Sequence, residues 1–158
     1  MTCPTGPTVL VGGATPGRND RFKAIRVHLQ GRVADLAMRQ LVTLTGAGGV
    51  GKTRTALEMC WLASAAFTDG VWSVNVAPIT ESAAVAVAVA MMMSIRPQPA
   101  MTAADAVVSW LRGRCLLSVT DNCEPLLDAV VELVGAIVLG RPTVTVLATS
   151  REPLGGRR

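Results

Sequence analysis

An α/β fold, with a parallel sheet covered by helices on both faces, is predicted by three features of the 158-residue sequence. Short β-branched and apolar runs (Leu41–Thr45, Val71–Ala77, Cys115–Thr120 and Thr143–Thr149) alternate with longer segments of helical spacing, the pattern of parallel strands joined by crossover helices. A glycine-rich loop, Gly46 to Gly51, joins the first of these strands to a helix. The polar residues with chemical potential then fall just after strand ends: the loop itself, Asp121, and Ser150-Arg151. In such sheets ligands bind beyond the carboxyl ends of the strands. Half of the residues are hydrophobic and none is tyrosine, so Ala, Val, Leu and Met must build the core.

Residues 1–17, rich in Pro, Gly and Thr with one apolar patch at Val9-Leu10-Val11, read as a flexible lead-in. After the candidate caps Asn19 and Asp20, Phe22, Ile25, Leu29, Val33 and Leu36 recur at helical spacing with arginines between them, which predicts an amphipathic basic helix. The domain division is therefore 1–40 for the lead-in and basic helix and 41–158 for the sheet-forming part. His28, the single histidine, stands among cations and reads as a surface residue.

Leu41–Thr45 is the first strand, and Gly46-Ala47-Gly48-Gly49-Val50-Gly51-Lys52-Thr53 fits G-x-x-x-x-G-K-[ST] at every defined position. Backbone N–H groups can wrap a polyphosphate only where the chain passes close to it, often at positive φ, and glycine does so without steric cost. The helix starting near Lys52 points its unpaired N–H groups at the same anion. Lys52 would reach the terminal phosphates and the Thr53 hydroxyl would ligate Mg²⁺. Gly46, Gly48, Gly49, Val50, Gly51, Lys52, Thr53 and Arg54 are the nucleotide-contacting candidates. A glycine-rich turn with no ligand is the bland alternative.

That helix continues to about Phe67, and Asp69-Gly70 breaks it. Val71–Ala77 is the second strand, stopped by Pro78. Thr80 or Ser82 caps a helix through Met93; the alternation from Ala83 to Ala90 imitates a strand, but length and alanine content favour helix. Its three methionines read as adaptable packing. A loop to Met101 is followed by Thr102-Ala103-Ala104-Asp105, a capping-box-like start to a helix through Leu111 that Gly113 ends. The third strand, Cys115–Thr120, finishes at Asp121-Asn122. Glu124-Pro125 starts the next helix, with Leu126, Val130, Leu133, Val134 and Ile137 on one face, closed by Gly140 and Pro142. The fourth strand, Thr143–Thr149, runs into Ser150-Arg151-Glu152.

Charge and cysteine usage narrow the classes. The formal net charge of +4 lies entirely within residues 1–40, and the remainder balances at zero. Such a basic segment either touches nucleic acid or another domain or is a solvated helix face, and no DNA-binding motif accompanies it. Ala83–Met93, the longest uncharged apolar stretch, is far below the roughly 20 residues of a membrane span. No secretory signal pattern opens the chain, so a cytoplasmic protein is expected. Cys3, Cys60, Cys115 and Cys123 form no C-x-x-C pair and read as reduced, small hydrophobes.

Asp121 ends an apolar strand, the position from which a carboxylate holds the Mg²⁺ shared with Thr53 and the phosphates. Its neighbour Asn122 is a poor base, and Glu124 is the nearest acid. Turnover, if any, should be slow.

LVTLTGAGGVGKTRTALE, DGVWSVNVAPIT, LLSVTDNCEPLLDAVVELV and VTVLATSREPLG, in that order, closely resemble the nucleotide-binding domain of large bacterial regulators of the LuxR and SARP types, relatives of the NB-ARC and STAND signalling ATPases. The resemblance covers about residues 41 to 156. It implies a P-loop NTPase three-layer sandwich with the fourth strand between the first and third, and an ATP/ADP switch controlling other domains. It makes Gly46 to Thr53 Walker A, Asp121 Walker B, and Arg151 a sensor arginine for the γ-phosphate. Departures are Thr120 beside the Walker B Asp in place of an apolar residue, Pro125 where a His is common, and only an echo of the G-R-E element in Gly17-Arg18-Asn19. Because the sequence stops soon after Arg151, the resemblance also implies a sheet incomplete after the fourth strand, and hence weak nucleotide binding and self-association or pairing with a partner domain. The expected function is an ATP/ADP-binding regulatory module with Mg²⁺ and with slow or no hydrolysis by Asp121, Glu124 and Arg151. A small autonomous NTPase or kinase, and a vestigial interaction protein, remain as alternatives.

Overall fold

The computed structural model describes residues 40–96, 98–140, 143–152 and 154, together with the backbone of residues 9 and 10. Among the described residues five parallel strands form one sheet: β1 (Val9–Leu10), β2 (Leu41–Thr45), β3 (Val71–Asn75), β4 (Leu116–Asp121) and β5 (Val144–Ser150), in the order β1-β3-β4-β5-β2. The described residues also form four α-helices: α1 (Lys52–Ala63), α2 (Ala83–Met92), α3 (Ala103–Trp110) and α4 (Leu127–Gly140). The strand beginning at Val144 lies between those beginning at Leu41 and Leu116, as the resemblance implied.

Both faces of the sheet are buried, and side-chain alternation divides the core in two. On one face Leu117 and Val119 of β4 and Leu147 of β5 pack against Ala56, Met59, Cys60 and Ala63 of α1. On the other, Leu116, Val144, Val146 and Ala148 meet Val85 and Val89 of α2, Val107 of α3, and Val130, Leu133, Val134 and Ile137 of α4. Among the described residues the result is three layers, with α1 on one side and α2, α3 and α4 on the other. Such two-sided burial explains why the strands read as apolar runs.

Several boundaries shift. The lead-in is not wholly irregular, because Val9 and Leu10 pair with Val71 and Trp72 and extend the sheet beyond β3. β4 continues through Asp121, placing the carboxylate on the last strand residue. β3 stops at Asn75, whose Oδ1 accepts a hydrogen bond from Ala77 N at 3.0 Å and turns the chain before Pro78. Glu124–Leu126 forms a 3₁₀ turn with Pro125 at its start, and α4 begins only at Leu127. Ser82 precedes α2 in helical conformation and forms no side-chain cap. The Thr102 cap does form: its Oγ1 accepts from Asp105 N at 3.1 Å and donates to the Asp105 carboxylate at 2.6 Å. The predicted basic helix, His28, Cys3, the Gly17-Arg18-Asn19 echo and Pro142 lie outside the described residues.

The described cysteines are all free. Burial pushes the Cys60 and Cys123 thiols up to about 12, which keeps them protonated and unreactive at neutral pH. Among the described residues no helix is long and apolar enough to cross a membrane.

Candidate functional site

The carboxyl ends of β2, β3, β4 and β5 open onto one cleft of about 810 Å³, lined by the loop, Asn75, Asp121, Asn122, Glu124, Thr149 and Arg151, together with Arg54 and Leu57 of α1. Parallel pairing causes this convergence. Asn75 stands opposite Asp121 and Thr45 opposite Ser150, so residues far apart in sequence emerge at the same edge.

Within the loop, Gly49 (φ 78°) and Gly51 (φ 90°) occupy the left-handed region, which costs glycine almost nothing and β-bearing residues more. Gly51 sits at the N-terminal cap of α1, which has no side-chain cap hydrogen bond. The first-turn amides and the helix dipole suit an anion. At Gly48 a Cβ would lie 3.6 Å from the Arg151 guanidinium, an ordinary contact distance, which places that cation beside the loop. Gly46 and Val50 do not line the cleft; Val50 is exposed.

Lys52 folds over the loop mouth, where Nζ donates to Gly46 O at 2.9 Å and Ala47 O at 3.1 Å. One residue on, Thr53 Oγ1 donates to the Asp121 carboxylate, 2.9 Å from Oδ1 and 3.0 Å from Oδ2. Asp121 is held from its other side by Thr149 Oγ1, which donates to Oδ1 at 2.5 Å while accepting from Asn122 N at 2.8 Å. That second contact fixes Asn122 at φ 63°, a conformation asparagine tolerates better than most residues. Cys123 N donates to Thr149 O at 3.0 Å and continues the clamp.

Glu124 Oε1 lies 3.7 Å from Lys52 Nζ and 3.8 Å from Arg151 Nε. Lys52, Thr53, Arg54, Gly48, Gly49, Gly51, Asp121, Glu124 and Arg151 thus line one cleft. Sequence reasoning missed Asn75 and Thr149. Both are polar residues at the carboxyl end of an apolar strand, which is the signal that singled out Asp121.

The donor set fits a hard cation of the Mg²⁺ type. Thr53 Oγ1 and an Asp121 carboxylate oxygen are adjacent oxygen donors facing the cleft, and Mg²⁺ is commonly bound by one or two protein groups with phosphates and water completing its shell. No group of three or more His, Cys, Asp or Glu among the described residues forms a self-sufficient metal centre. A hydroxyl, a carboxylate, a lysine and open amides in one cleft can therefore hold a metal-chelated polyphosphate.

No protein-family model matches the chain. A protein of Mycobacterium tuberculosis H37Rv provisionally named an HTH-type transcriptional regulator is 44% identical over 120 residues, 76% of this chain and 13% of its own length. An uncharacterized protein of the same strain is 34% identical over 120 residues, covering 76% of this chain and 30% of that protein. The chain spans about an eighth of the length of the former, with 13% covered. Among solved structures, the Aeropyrum pernix ORC2 protein in its ADP form superposes with a TM-score of 0.60 at 15% identity, over 89% of this chain and 44% of that one. Cdc6p from Pyrobaculum aerophilum gives 0.57 at 14% identity, over 90% and 42%. At such identities the likeness is one of fold. The chain shares the α/β fold of these solved structures, and its sequence is similar to a segment of a protein provisionally named an HTH-type transcriptional regulator.

Proposed function

We propose that this chain is an ATP/ADP-binding regulatory module of the STAND and NB-ARC kind, akin to the nucleotide-binding part of LuxR-type transcriptional regulators. The observation that carries the reading is the contact between Thr53 and Asp121, 68 residues apart, beside a lysine seated on a glycine-rich loop. The two oxygen groups would hold Mg²⁺, which neutralises phosphate charge, while Lys52, the amides of residues 49–53 and Arg151 would contact the phosphates. Arg54 and Leu57 of α1 line the same cleft and would border the rest of the nucleotide. Asp121 is followed by Asn122, which cannot act as a base, so the module binds and releases nucleotide with slow or no hydrolysis. A cytoplasmic location goes with this reading. Self-association through the edge strand β2, or pairing with a regulatory domain, would convert nucleotide state into an output.

The reading is tested by titrating MgATP and MgADP calorimetrically into the wild type and Lys52→Ala. Loss of one charge-assisted contact should weaken MgATP binding on the order of ten- to a hundredfold while leaving the far-ultraviolet circular dichroism unchanged. Equal affinities in the two proteins would remove the loop from any phosphate-binding role.

A further inference from the structure

We propose that Glu124 is an internal anion standing in the place of the terminal phosphate, between Lys52 and Arg151, and that it sets the preference of the site between a nucleoside triphosphate and a diphosphate. The inference rests on the nucleotide reading above. One carboxylate oxygen, Oε1, faces both cations at 3.7 and 3.8 Å, within ionic attraction but beyond good hydrogen-bond length. The other, Oε2, is buried with no hydrogen-bond partner. A buried acceptor left unmade is costly, so Glu124 is held in place by charge and not by a satisfied network. The Glu124 side chain is 19% exposed and Lys52 12%, whereas Arg151 is 69% exposed. The carboxylate is thus tucked under Arg151 and against the loop lysine.

This arrangement treats the two ligands differently. A terminal phosphate reaching Lys52 and Arg151 meets the negative charge of Glu124 and must displace it from both cations. A diphosphate stops short of that position and leaves the Glu124–Arg151 pair in place. Glu124 therefore opposes the triphosphate selectively.

The test uses the full chain and calorimetric titration of MgADP and of a magnesium-bound ATP analogue with an imido β–γ bridge, which removes turnover from the comparison. Glu124→Gln keeps the shape and removes the charge. It should tighten analogue binding about tenfold more than ADP binding, and in an Arg151→Gln background that gain should shrink, since Arg151 is one of the two cations from which the terminal phosphate must displace Glu124. Glu124→Ala carries the same expectation should the glutamine variant fold poorly. Equal changes for both ligands, or a weaker analogue, would overturn the inference while leaving nucleotide binding intact. An unchanged ratio accompanied by loss of ATP turnover would overturn it in favour of a base. No binding of either ligand to wild type or variants would overturn the nucleotide reading itself and the inference with it.

Discussion

Asp121 has three demands on its two oxygens: Thr53 Oγ1, Thr149 Oγ1, and the metal proposed for the cleft. Asparagine in its place keeps an oxygen acceptor for both hydroxyls but removes the charge that attracts a cation. Asp121→Asn should therefore leave metal-free ATP binding nearly intact and abolish most of the affinity gained on adding Mg²⁺, a change on the order of tenfold. Paired titrations with Mg²⁺ and with EDTA measure it; the same Mg²⁺ response in both proteins would take Asp121 out of the site. Lys52, Thr53 and Asp121 were legible as candidates because their residue types fit a motif or a strand end. Thr149 was not, since a threonine ending an apolar strand has the same spelling whether its hydroxyl faces solvent or clamps a carboxylate.

At the scale of elements, α3 shows how local chemistry defines a start. Thr102 and Asp105 exchange two hydrogen bonds at the first turn, and the helix is only eight residues long, so this turn is a large fraction of it. Thr102→Ala should destabilise the fold by about 1 kcal/mol. Urea unfolding followed by circular dichroism checks this, and an unchanged midpoint would show that packing of Val107 and Leu111 alone holds the helix. α2 teaches the opposite lesson. Its N-terminal serine forms no cap, and the alternating Ala-Val pattern is ambiguous between helix and strand. Burial of Val85, Val89 and Ala90 on one side, with Val87 and Met91 exposed on the other, reflects contacts with α3, α4 and the sheet that no single-segment reading contains.

For the molecule as a whole, the consequential feature is the position of β2 at one edge of the sheet. It pairs only with β5 among the described strands, and Val42 and Leu44 pack on α1, leaving one row of backbone donors and acceptors without a strand partner among the described residues. Edges of this kind pair with other chains. The purified chain should associate as concentration rises, detected by light scattering; a constant mass of one chain across a hundredfold dilution would show the edge to be covered.

The sequence by itself determined the alternation of strands and helices, the glycine loop and the identity of most side chains in the cleft, because these depend on local spacing and on the φ preferences of single residues. It did not determine strand order from spacing: that expectation came from resemblance, and the two-residue β1 escaped it because such a short apolar patch gives no period to read. Tertiary structure decided which strand ends meet. Parallel pairing joins segments separated by long crossovers, so the approach of Thr53 to Asp121, the Thr149 clamp and the seat of Glu124 between two cations arise from non-local register, in which a shift of one residue would turn each side chain to the other face.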